Sequence, residues 1–462
     1  MKILPKNHCI GVWGFGIVGK SVVNYFHNHG YTVNIMDKRM PTIQEYNDLK
    51  IKDIQWYHEN DQETFFYSHD YIVVSPGVNI GETRYATYKD KWLHELDFFY
   101  TTFNKPIIAI TGSVGKTSIT HLLNEIYKEL SISIAVGGNI GTATFDLIDQ
   151  QNNVNCALLE VSSFQLNHCK HFAPQLAIWT NFYPNHLDHH ATEEEYFLAK
   201  HTILAYQTHN QFSLIPFALK DRVATPINGH MRSYFISTCP EDSQLRLLTH
   251  DEQIYYIKNN TIMRYAHNKH TSLMLITPEL YNLSFSDNII ILAATCDILR
   301  LPHKALQNIA TTAILPSHRI EKIGSIHLID FYNDSKATTT ASTLAAVKKL
   351  SNRPLHLFLG GLSKGVDREP FIAQLKNKVK RIYCFGKEAD ILYSMCVNHD
   401  ISATSHLTLN QAVNACITYL QPQDCVLLSP AGSSFDLYEN YEKRGEHFKE
   451  LIMQYIEKQT SL

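Results

Sequence analysis

No apolar run in this sequence of 462 residues is long enough to cross a bilayer, and the first residues lack the long apolar segment of a signal peptide. Charge of one sign is not in excess, because 41 Lys and Arg stand against 44 Asp and Glu, a net charge of −3. The composition therefore gives no electrostatic reason to expect nucleic acid or an anionic membrane as a partner. The nine cysteines include no Cys-x-x-Cys pair, so we expect free thiols in a reducing cytoplasm rather than a disulfide framework.

The chain is long enough to form several domains with substantial cores. Short apolar runs, each followed by a small polar loop and a helical pattern, recur through most of its length. Strands that alternate with helices in this way are typical of doubly wound parallel sheets. We therefore expect α/β domains whose ligands lie beyond the carboxyl ends of the strands.

The most informative stretch is residues 107–118, Ile-Ile-Ala-Ile-Thr-Gly-Ser-Val-Gly-Lys-Thr-Ser. The apolar run predicts a buried strand, a glycine turn follows, and apolar residues at helical spacing come after Lys116 and Thr117. The backbone N–H groups of such a loop cradle nucleotide phosphates, the lysine reaches the terminal phosphates, and the hydroxyl can bind Mg²⁺. We predict that this segment binds ATP; the alternative is a chance glycine turn before a helix.

Three polar residues further along favour the same chemistry. Glu160 ends an apolar run, where the carboxylate that binds a nucleotide-linked Mg²⁺ is found; a helix N-terminal acid is the alternative. His186 lies among histidines that are neither helical i,i+4 partners nor matched by downstream cysteines, so their spacing does not predict zinc. Lys200 would face inward, rather than stay a solvated surface lysine, if its predicted helix buries Tyr196, Leu198, Ala199, Ile203 and Leu204.

The first hundred residues carry a second glycine pattern, Gly14-x-Gly16-x-x-Gly19, after a short predicted strand. Asp37 follows about 20 residues later, where a ribose hydroxyl would lie. Ser75-Pro76-Gly77 forms a turn after another predicted strand, and its N–H groups could hold a phosphate. Because this glycine pattern alone is weak evidence for NAD, we interpret residues 1–97 as a small α/β domain that binds a nucleotide-linked substrate.

The rest of the chain shows different hydrophobic patterns in successive segments. We interpret the stretch around Trp92 to Asn104 as the hinge into the second domain. Residues 212–285 show short alternating runs, which favour antiparallel β structure, and helical patterns follow at 288–299 and 303–312. From residue 315 onward strands and helices alternate again, which predicts another doubly wound sheet.

The quoted segments resemble the Mur ligase family along nearly the whole chain, with residues 212–285 matching least. Segments typical of the wider family are Thr111–Thr117, Gly138–Gly141, and His186-Leu-Asp188 with Ala199-Lys200. Segments similar to the members that add D-glutamate are Met36–Met40, Leu159–Gln165, Asn333–Thr338 and Ser429–Ser434. The resemblance implies three α/β domains: a Rossmann-like N-terminal domain (1–97), a central ATP-binding P-loop domain with a parallel sheet (98–314), and a C-terminal doubly wound Rossmann-like domain that binds the amino acid (315–462).

The resemblance also implies a reaction. ATP would phosphorylate the carboxylate of UDP-N-acetylmuramoyl-L-alanine, and the amine of D-glutamate would attack the acyl phosphate, a step in peptidoglycan precursor synthesis and thus in cell-wall biogenesis, cell shape and cell division. Two Mg²⁺ ions and a carbamylated Lys200 are implied as cofactors. We expect a cytoplasmic monomer without nucleic-acid partners or membrane insertion.

Site residues follow from matching positions. Lys116, His186 and Lys200 would be catalytic; Thr117 and Glu160 would hold one Mg²⁺, and His186 with carbamylated Lys200 the other. The residues implied for ATP are Gly112, Ser113, Val114, Gly115, Lys116, Thr117, Ser118, Asn288, Arg319 and Asp334. Those implied for the UDP-substrate are Gly14, Phe15, Gly16, Gly19, Asp37, Arg39, Ser75, Pro76, Gly77 and Asn139. Those implied for D-glutamate are Lys336, Thr338, Lys364, Ser434 and Tyr441.

A few positions depart from the family pattern: Val114 replaces the usual Asn of the phosphate loop, and Ile291 replaces an Asn that contacts adenine. Three other functions stay open at this point. They are a sibling amino-acid ligase (another Mur ligase or a folylpolyglutamate synthetase-like protein), a non-catalytic nucleotide-binding relic, and an NAD-dependent dehydrogenase fused to an ATPase.

Overall fold

A computed structural model describes residues 4–49, 51, 53–78, 88, 90–186, 189–223, 232–238 and 240–460. The chain forms two compact units. The first comprises Met1–Asn181, Phe197–Tyr281 and Ser286–Thr311, and the second comprises Phe182–Tyr196, Asn282–Phe285 and Thr312–Leu462. No helix in the part of the chain that the structure describes has both the length and the apolar character that a membrane span requires.

The first unit begins with a five-stranded parallel sheet of order β3-β2-β1-β4-β5. Its elements are β1 (Cys9–Trp13), α1 (Ile17–Asn28), β2 (Thr32–Asp37), α2 (Ile43–Asp48), β3 (Trp56–His58), α3 (Gln62–Ser68), β4 (Tyr71–Val74) and β5 (Trp92–Leu93). Part of its core is a cluster of Trp13, Met36, Phe65, Phe66 and Ile72. The order reverses at β1, so the loops after β1 and β4 lie side by side, which is where such sheets bind ligands.

The segment from Trp92 to Asn104 is not a simple linker. Its start is β5, an edge strand of the first sheet, and it continues as helix α4 (Glu95–Thr102). Leu96, Phe98 and Phe99 of α4 are buried, and the ring of Phe98 stacks on Phe145 with centroids 5.1 Å apart. Because apolar burial fixes this helix, the predicted hinge between domains is a packed element of the first unit.

The same unit contains a nine-stranded sheet of order β14-β13-β12-β11-β10-β9-β6-β8-β7. Elements in this part of the chain are β6 (Ile107–Thr111), α5 (Lys116–Glu129), β7 (Ile134–Gly138), α6 (Thr144–Ile148), β8 (Cys156–Glu160), α7 (Ser163–Leu166), β9 (Leu176–Trp179), α8 (Glu193–Ala205), β10 (Phe212–Pro216), α9 (Lys220–Val223), β11 (Arg232–Ser237), α10 (Asp242–Leu245), β12 (Gln253–Lys258), β13 (Thr261–Ala266), β14 (Lys269–Leu275), α11 (Pro278–Leu283), α12 (Ser286–Ile298) and α13 (His303–Thr312). Antiparallel pairing is predicted for residues 212–285; among the described strands of this sheet it occurs only between β12 and β13 and between β13 and β14. The prediction was wrong for β10 and β11, which extend the parallel sheet.

The second unit holds a six-stranded sheet of order β15-β16-β20-β17-β18-β19. Its elements are β15 (Glu321–Ile326), β16 (Ile329–Asn333), α14 (Thr340–Leu350), β17 (Leu355–Gly360), α15 (Glu369–Leu375), β18 (Arg381–Phe385), α16 (Ala389–Asn398), β19 (Ala403–His406), α17 (Leu409–Ile417), β20 (Cys425–Leu428) and α18 (Tyr441–Thr460). The strands are parallel except for the edge pair β15 and β16. Alternate residues of these strands belong to two different buried clusters, so there is one cluster on each face of the sheet. This is the doubly wound arrangement that the sequence predicts.

Candidate active site

The loop after β6 has a backbone that only glycine adopts easily. Gly112 has φ +143° and Gly115 has φ +90°, conformations that favour residues without a Cβ atom. A Cβ added at Gly112 would lie 2.0 Å from the hydroxyl oxygen of Thr180, so a side chain is excluded by space as well. Gly115 caps α5, and the N-terminal N–H groups of that helix therefore contribute partial positive charge to the loop.

Two residues that follow β9, the strand paired with β6, form hydrogen bonds with this loop, and neither is among the predicted site residues. Asn181 accepts a hydrogen bond from the Val114 N–H at 2.9 Å and donates one to the Val114 carbonyl at 2.9 Å. Thr180 donates its hydroxyl to the same carbonyl at 2.6 Å. Val114 is thus fixed through its backbone, by hydrogen bonds that need no polar side chain at that position. The only signal in the sequence was the polar pair directly after β9.

Two lysines meet at one carbonyl of this loop. Lys116 donates to the Gly112 oxygen at 2.7 Å, and Lys200 donates to the same atom at 3.1 Å. Lys200 is 2% exposed. Burial holds the pKa of Lys200 well below its usual range, the charge of Lys116 lowers it further, and Glu160 opposes the shift. The prediction that Lys200 faces inward is therefore confirmed.

The helix face predicted to carry Lys200 inward is only partly right. Tyr196, Ala199, Ile203 and Leu204 are buried, as expected. Leu198 is 55% exposed, so its assignment to the buried face was wrong. Two residues before Lys200, Leu198 lies about 200° around the helix from it, and the 3.6-residue period therefore places the two on opposite faces.

Glu160 and Thr117 offer oxygen atoms beside the loop. Glu160 is 2% exposed, and its Oε1 accepts a hydrogen bond from Asn139 Nδ2 at 3.0 Å. Its Oε2 is buried and has no hydrogen-bond partner among the described residues. Thr117 is half-buried in the first turn of α5. A buried carboxylate oxygen that lacks a donor fits a hard cation, and Mg²⁺ needs only one or two protein ligands because it keeps several waters. Over the described ranges, no group of three or more His, Cys, Asp or Glu could hold a metal.

Asn288 lies over the same loop. A Cβ added at Gly115 would come within 3.0 Å of the Asn288 side-chain oxygen. Ile291, on the same helix, is fully buried and belongs to the apolar core. The structure therefore brings Asn288 to the phosphate loop, but Ile291 offers no polar contact to a base.

A cavity of about 460 Å³ lies between the loops of the two sheets of the first unit. Eight of the predicted UDP-substrate residues line it: Gly14, Phe15, Gly16, Asp37, Ser75, Pro76, Gly77 and Asn139. Lining residues that the prediction missed include Lys38, Glu59 and Gln165. Glu59 is held by the Trp13 indole N–H at 3.1 Å. A cavity of this size, with glycine loops and few polar groups, suits a nucleotide-sized ligand.

The floor of this cavity is preorganised by Asp37. Its Oδ2 accepts the Phe15 N–H at 2.6 Å, and its Oδ1 accepts the Arg39 N–H at 3.3 Å. Ser75 donates its hydroxyl to the Gly14 carbonyl at 2.7 Å, which joins the β1 and β4 loops. Asp37 thus shapes the glycine loop as well as facing the cavity.

Two predicted ligands are not among the residues that line the cavity. A Cβ at Gly19 would lie 2.0 Å from the Gly14 carbonyl oxygen, so this glycine permits close packing of α1 on the loop. The exposed guanidinium of Arg39 forms two hydrogen bonds of 2.7 Å with Glu45. The role of Arg39 as a substrate ligand stays a prediction.

In the second unit, His186 lies in the loop before α8. It is half-buried with φ +58°, and its carbonyl accepts the N–H groups of His189 and His190 at 3.1 and 2.9 Å. Leu187 and Asp188, quoted with it from the sequence, lie outside the described residues.

The carboxyl ends of β16 and β20 place a buried carboxyl group in the second unit. Asp334 accepts hydrogen bonds from the Ser429 hydroxyl at 2.7 Å and the Ile320 N–H at 3.2 Å. Burial raises the pKa of Asp334 to about 7, and the Ser429 hydrogen bond and the charge of Arg319 oppose this rise. Arg319 and Asp334, which the sequence assigned together, are therefore electrostatically coupled.

The predicted D-glutamate residues lie on loops of the same unit. Lys336 Nζ lies 4.8 Å from the ring centre of Tyr441, and Lys364 Nζ donates to the Thr338 hydroxyl at 3.3 Å. Ser434 is buried. The two pairs supply cations and hydroxyls, which are the groups that bind carboxylates.

Arg444 lies beneath these loops and was not assigned from the sequence. It is fully buried, and its guanidinium donates to the Ser335 hydroxyl (3.0 Å), the Ser335 carbonyl (2.8 Å) and the Gly432 carbonyl (3.0 Å). Burial lowers its pKa to about 10. Arg444 thus joins the loop after β16 to the loop after β20.

The strand, glycine loop, lysine and helix define a nucleotide-binding α/β protein of the phosphate-loop class. Family models match three parts of the chain: a Mur ligase MurD-like N-terminal domain at residues 8–92, a Mur ligase middle domain at 110–277, and a Mur ligase glutamate ligase domain at 318–432. The UDP-N-acetylmuramoylalanine--D-glutamate ligase of Acidobacterium capsulatum is 32% identical, over 84% of this chain and 83% of the relative. The enzyme of the same name from Geotalea uraniireducens is 30% identical over 98% of both chains.

Solved structures share the fold. The MurF ligase of Thermotoga maritima, determined in complex with ADP, has a TM-score of 0.56 at 14% identity and covers 99% of this chain and 98% of its own. A pseudomurein peptide ligase type C from Methanothermus fervidus has a TM-score of 0.57 at 15% identity, over 97% of this chain and 100% of its own. The chain belongs to the Mur ligase family, and within it to the UDP-N-acetylmuramoylalanine--D-glutamate ligases.

Proposed function

We propose that this chain uses ATP to join D-glutamate to UDP-N-acetylmuramoyl-L-alanine in peptidoglycan precursor synthesis, releasing ADP and phosphate. The observation that carries the proposal is the Asn139–Glu160 hydrogen bond. Asn139 lines the nucleotide-sized cavity, and Glu160 lies beside the phosphate loop. The two sites are therefore neighbours, as transfer of a phosphoryl group from ATP to a UDP-linked carboxylate requires.

In the first unit, Gly112–Ser118 and Asn288 would hold the ATP phosphates, and Lys116 would stabilise the charge on the transferred group. Lys116 donates to the Gly112 carbonyl and would exchange that oxygen for a phosphate oxygen. The residues that line the cavity would hold the UDP-sugar, with its diphosphate at the glycine loop after β1 and the turn at Ser75–Gly77.

Thr117 and the unpartnered Oε2 of Glu160 would bind one Mg²⁺; His186 and a carbamylated Lys200 would bind the second. When bound, these ions would neutralise the negative oxygens that converge during phosphoryl transfer. The buried Lys200 fits carbamylation, because the neutral amine attacks CO₂, loses a proton and becomes an anionic oxygen ligand. Arg319 and Asp334 would contribute further contacts to ATP.

In the second unit, Lys336, Thr338, Lys364, Ser434 and Tyr441 would bind D-glutamate through its carboxylates. The bound amine would attack the acyl phosphate, and the tetrahedral intermediate would expel phosphate. We further propose the domain division 1–97, 98–314 and 315–462, a monomeric state and a cytoplasmic location, where ATP and the UDP-linked substrate are supplied.

The test measures phosphate release from ATP with Mg²⁺ and UDP-N-acetylmuramoyl-L-alanine, and compares D-glutamate with L-glutamate, L-alanine and glycine. Release with D-glutamate alone supports the proposal. Release with another amino acid would move the chain to a sibling activity. Silence with every amino acid, from folded protein that binds ATP, would favour a non-catalytic nucleotide-binding role.

The carbamate has its own test. Lys200→Ala should abolish turnover, and short carboxylates such as formate or acetate should restore part of it by replacing the anionic oxygen. Lys116→Ala should be inactive without such rescue, because no carboxylate replaces a cation. Equal rescue of both variants, or of neither, would argue against a carbamate at Lys200.

A further inference from the structure

A buried carboxylate lies behind the cavity wall. Glu95, the first residue of α4, is 5% exposed. Its Oε1 accepts the hydroxyl of Thr144 at 2.6 Å, and its Oε2 accepts the side-chain amide of Gln165 at 3.3 Å. Burial raises the pKa of Glu95, and these hydrogen bonds oppose the rise. The group therefore connects α4 and α6 to α7, the short helix that carries Gln165.

The amide of Gln165 has only one orientation that satisfies its neighbours. Its Oε1 accepts the Ser162 N–H at 3.0 Å and the Ser162 hydroxyl at 3.1 Å. A backbone N–H can only donate, so the atom facing it must be the oxygen. The Nε2 group consequently points to Glu95 and uses one of its two hydrogens there.

The Gln165 Nε2 group carries a second hydrogen that Glu95 does not take. Gln165 lines the cavity, and Glu95 is the one acceptor that its Nε2 reaches among the described residues. Helix α7 begins three residues after the end of β8 at Glu160, and Glu160 is hydrogen-bonded to Asn139, another residue of the cavity lining. Among the described residues no second acceptor takes the other Nε2 hydrogen, which leaves it for a ligand in the cavity.

We propose that Glu95 is a positioning residue that, together with Ser162, holds the Gln165 amide in the orientation in which the cavity presents a hydrogen-bond donor to an oxygen of the sugar–peptide part of the UDP-linked substrate. The identity of that substrate rests on the proposed function. The polarity itself rests only on the four hydrogen bonds of Glu95 and Gln165. Glu95 touches no ligand and acts through Gln165.

Glu95→Gln tests the polarity with almost no change in size. The Thr144 backbone N–H, which also bonds to the Glu95 carboxyl group and can only donate, keeps the single remaining oxygen on its side, so the new NH₂ faces the NH₂ of Gln165. Gln165 can accept from it only by turning over, which would set its own NH₂ against the Ser162 N–H. We expect Kd and KM for UDP-N-acetylmuramoyl-L-alanine to rise about tenfold, the loss of one well-placed hydrogen bond. KM for ATP and D-glutamate should not change, nor should the affinity for UDP alone, which lacks the sugar–peptide part.

The double variant Glu95→Gln/Gln165→Glu separates positioning from simple support. The carboxylate introduced at position 165 would accept from Ser162 and from the amide introduced at position 95, so every internal hydrogen bond is restored, but the cavity then meets an acceptor. We expect the melting temperature to return to that of the wild type while KM for the UDP-substrate stays high. Thr144→Val is the matched control, because it removes the hydroxyl hydrogen bond to Glu95 and should lower the melting temperature without changing KM.

The outcomes are distinct. A double variant that recovers both melting temperature and KM would overturn the inference, because Glu95 would then be only structural. Unchanged UDP-substrate affinity in Glu95→Gln, with normal binding by the wild type, would also overturn it and leave the proposed function intact. Failure of the wild type to bind UDP-N-acetylmuramoyl-L-alanine or UDP would overturn both. Should Glu95→Gln fold poorly, the double variant decides alone.

Discussion

Replacing Asn181 by alanine should loosen the phosphate loop without replacing any residue proposed to bind ATP. The Asn181 side chain forms two hydrogen bonds with the backbone of Val114, each 2.9 Å long. Each such bond contributes about 1 kcal/mol net, so the substitution removes about 2 kcal/mol of loop preorganisation. If ATP must restore the loop geometry on binding, its Kd should rise about 30-fold.

The assay measures KM and kcat for ATP in the phosphate-release reaction, together with the melting temperature. We expect the change in KM for ATP to exceed any change in KM for the UDP-substrate. Asn181→Asp should raise KM for ATP at least as much as Asn181→Ala does, because its carboxylate would face the Val114 carbonyl. Thr180→Ser retains the hydroxyl that donates to the same carbonyl and is the matched conservative control. A wild-type KM for ATP in Asn181→Ala would refute the claim that this residue organises the loop.

Three further predictions concern particular residues. Gly112→Ala should abolish ATP turnover, because its Cβ would lie 2.0 Å from Thr180 Oγ1 and the residue has φ +143°; phosphate release near the wild-type rate would contradict this. Burial raises the pKa of Asp334 from 3.8 to about 7, so between these values the folded chain holds a proton that the unfolded chain has lost, and stability falls as pH rises. The melting temperature of Asp334→Asn relative to the wild type should therefore increase from about pH 5 to about pH 8, and a flat difference would disprove the shift. Asp424 accepts hydrogen bonds from His356, Lys380 and the Gln421 N–H at the amino end of β20. Asp424→Ala should cost about 1–3 kcal/mol, because it leaves the buried Nε2 of His356 without this partner. We expect a lower melting temperature with unchanged KM values, and an altered KM for D-glutamate would contradict a purely structural role.

Much of the fold could be predicted from the sequence because local patterns determine it. Helix α13 (His303–Thr312) has the bounds that its apolar pattern predicts, and α12 (Ser286–Ile298) begins two residues before and ends one residue before the predicted 288–299. Residues 212–285 were harder, because alternation indicates a half-buried strand but does not tell whether its neighbour runs parallel or antiparallel. β10 and β11 pair in parallel, which requires a crossover connection, and helix α9 lies between them in the chain.

Some residues of the candidate site could likewise be predicted from the sequence, and others could not. The glycine loop, Lys116 and Glu160 were evident from residue types at fixed spacing, and most of the predicted UDP-substrate residues line one cavity. Thr180, Asn181, Glu95 and Arg444 were missed, because each acts on backbone or side chains that are distant in sequence. Their side chains are ordinary polar residues until the fold brings their partners within hydrogen-bond distance.

The sequence by itself determined the kind of chemistry: a strand followed by Thr-Gly-Ser-Val-Gly-Lys-Thr has the backbone freedom, the cation and the hydroxyl that nucleotide phosphates need, whatever surrounds it. Only the tertiary structure decided how that chemistry is prepared. It brought Lys200 and Lys116 to one carbonyl and left one oxygen of Glu160 without a donor in the part of the chain that the structure describes. It also placed the amide nitrogen of Gln165 within hydrogen-bond distance of Glu95. Burial and pairing belong to three-dimensional neighbours rather than to residue types, so the charge and polarity of the site are set by packing.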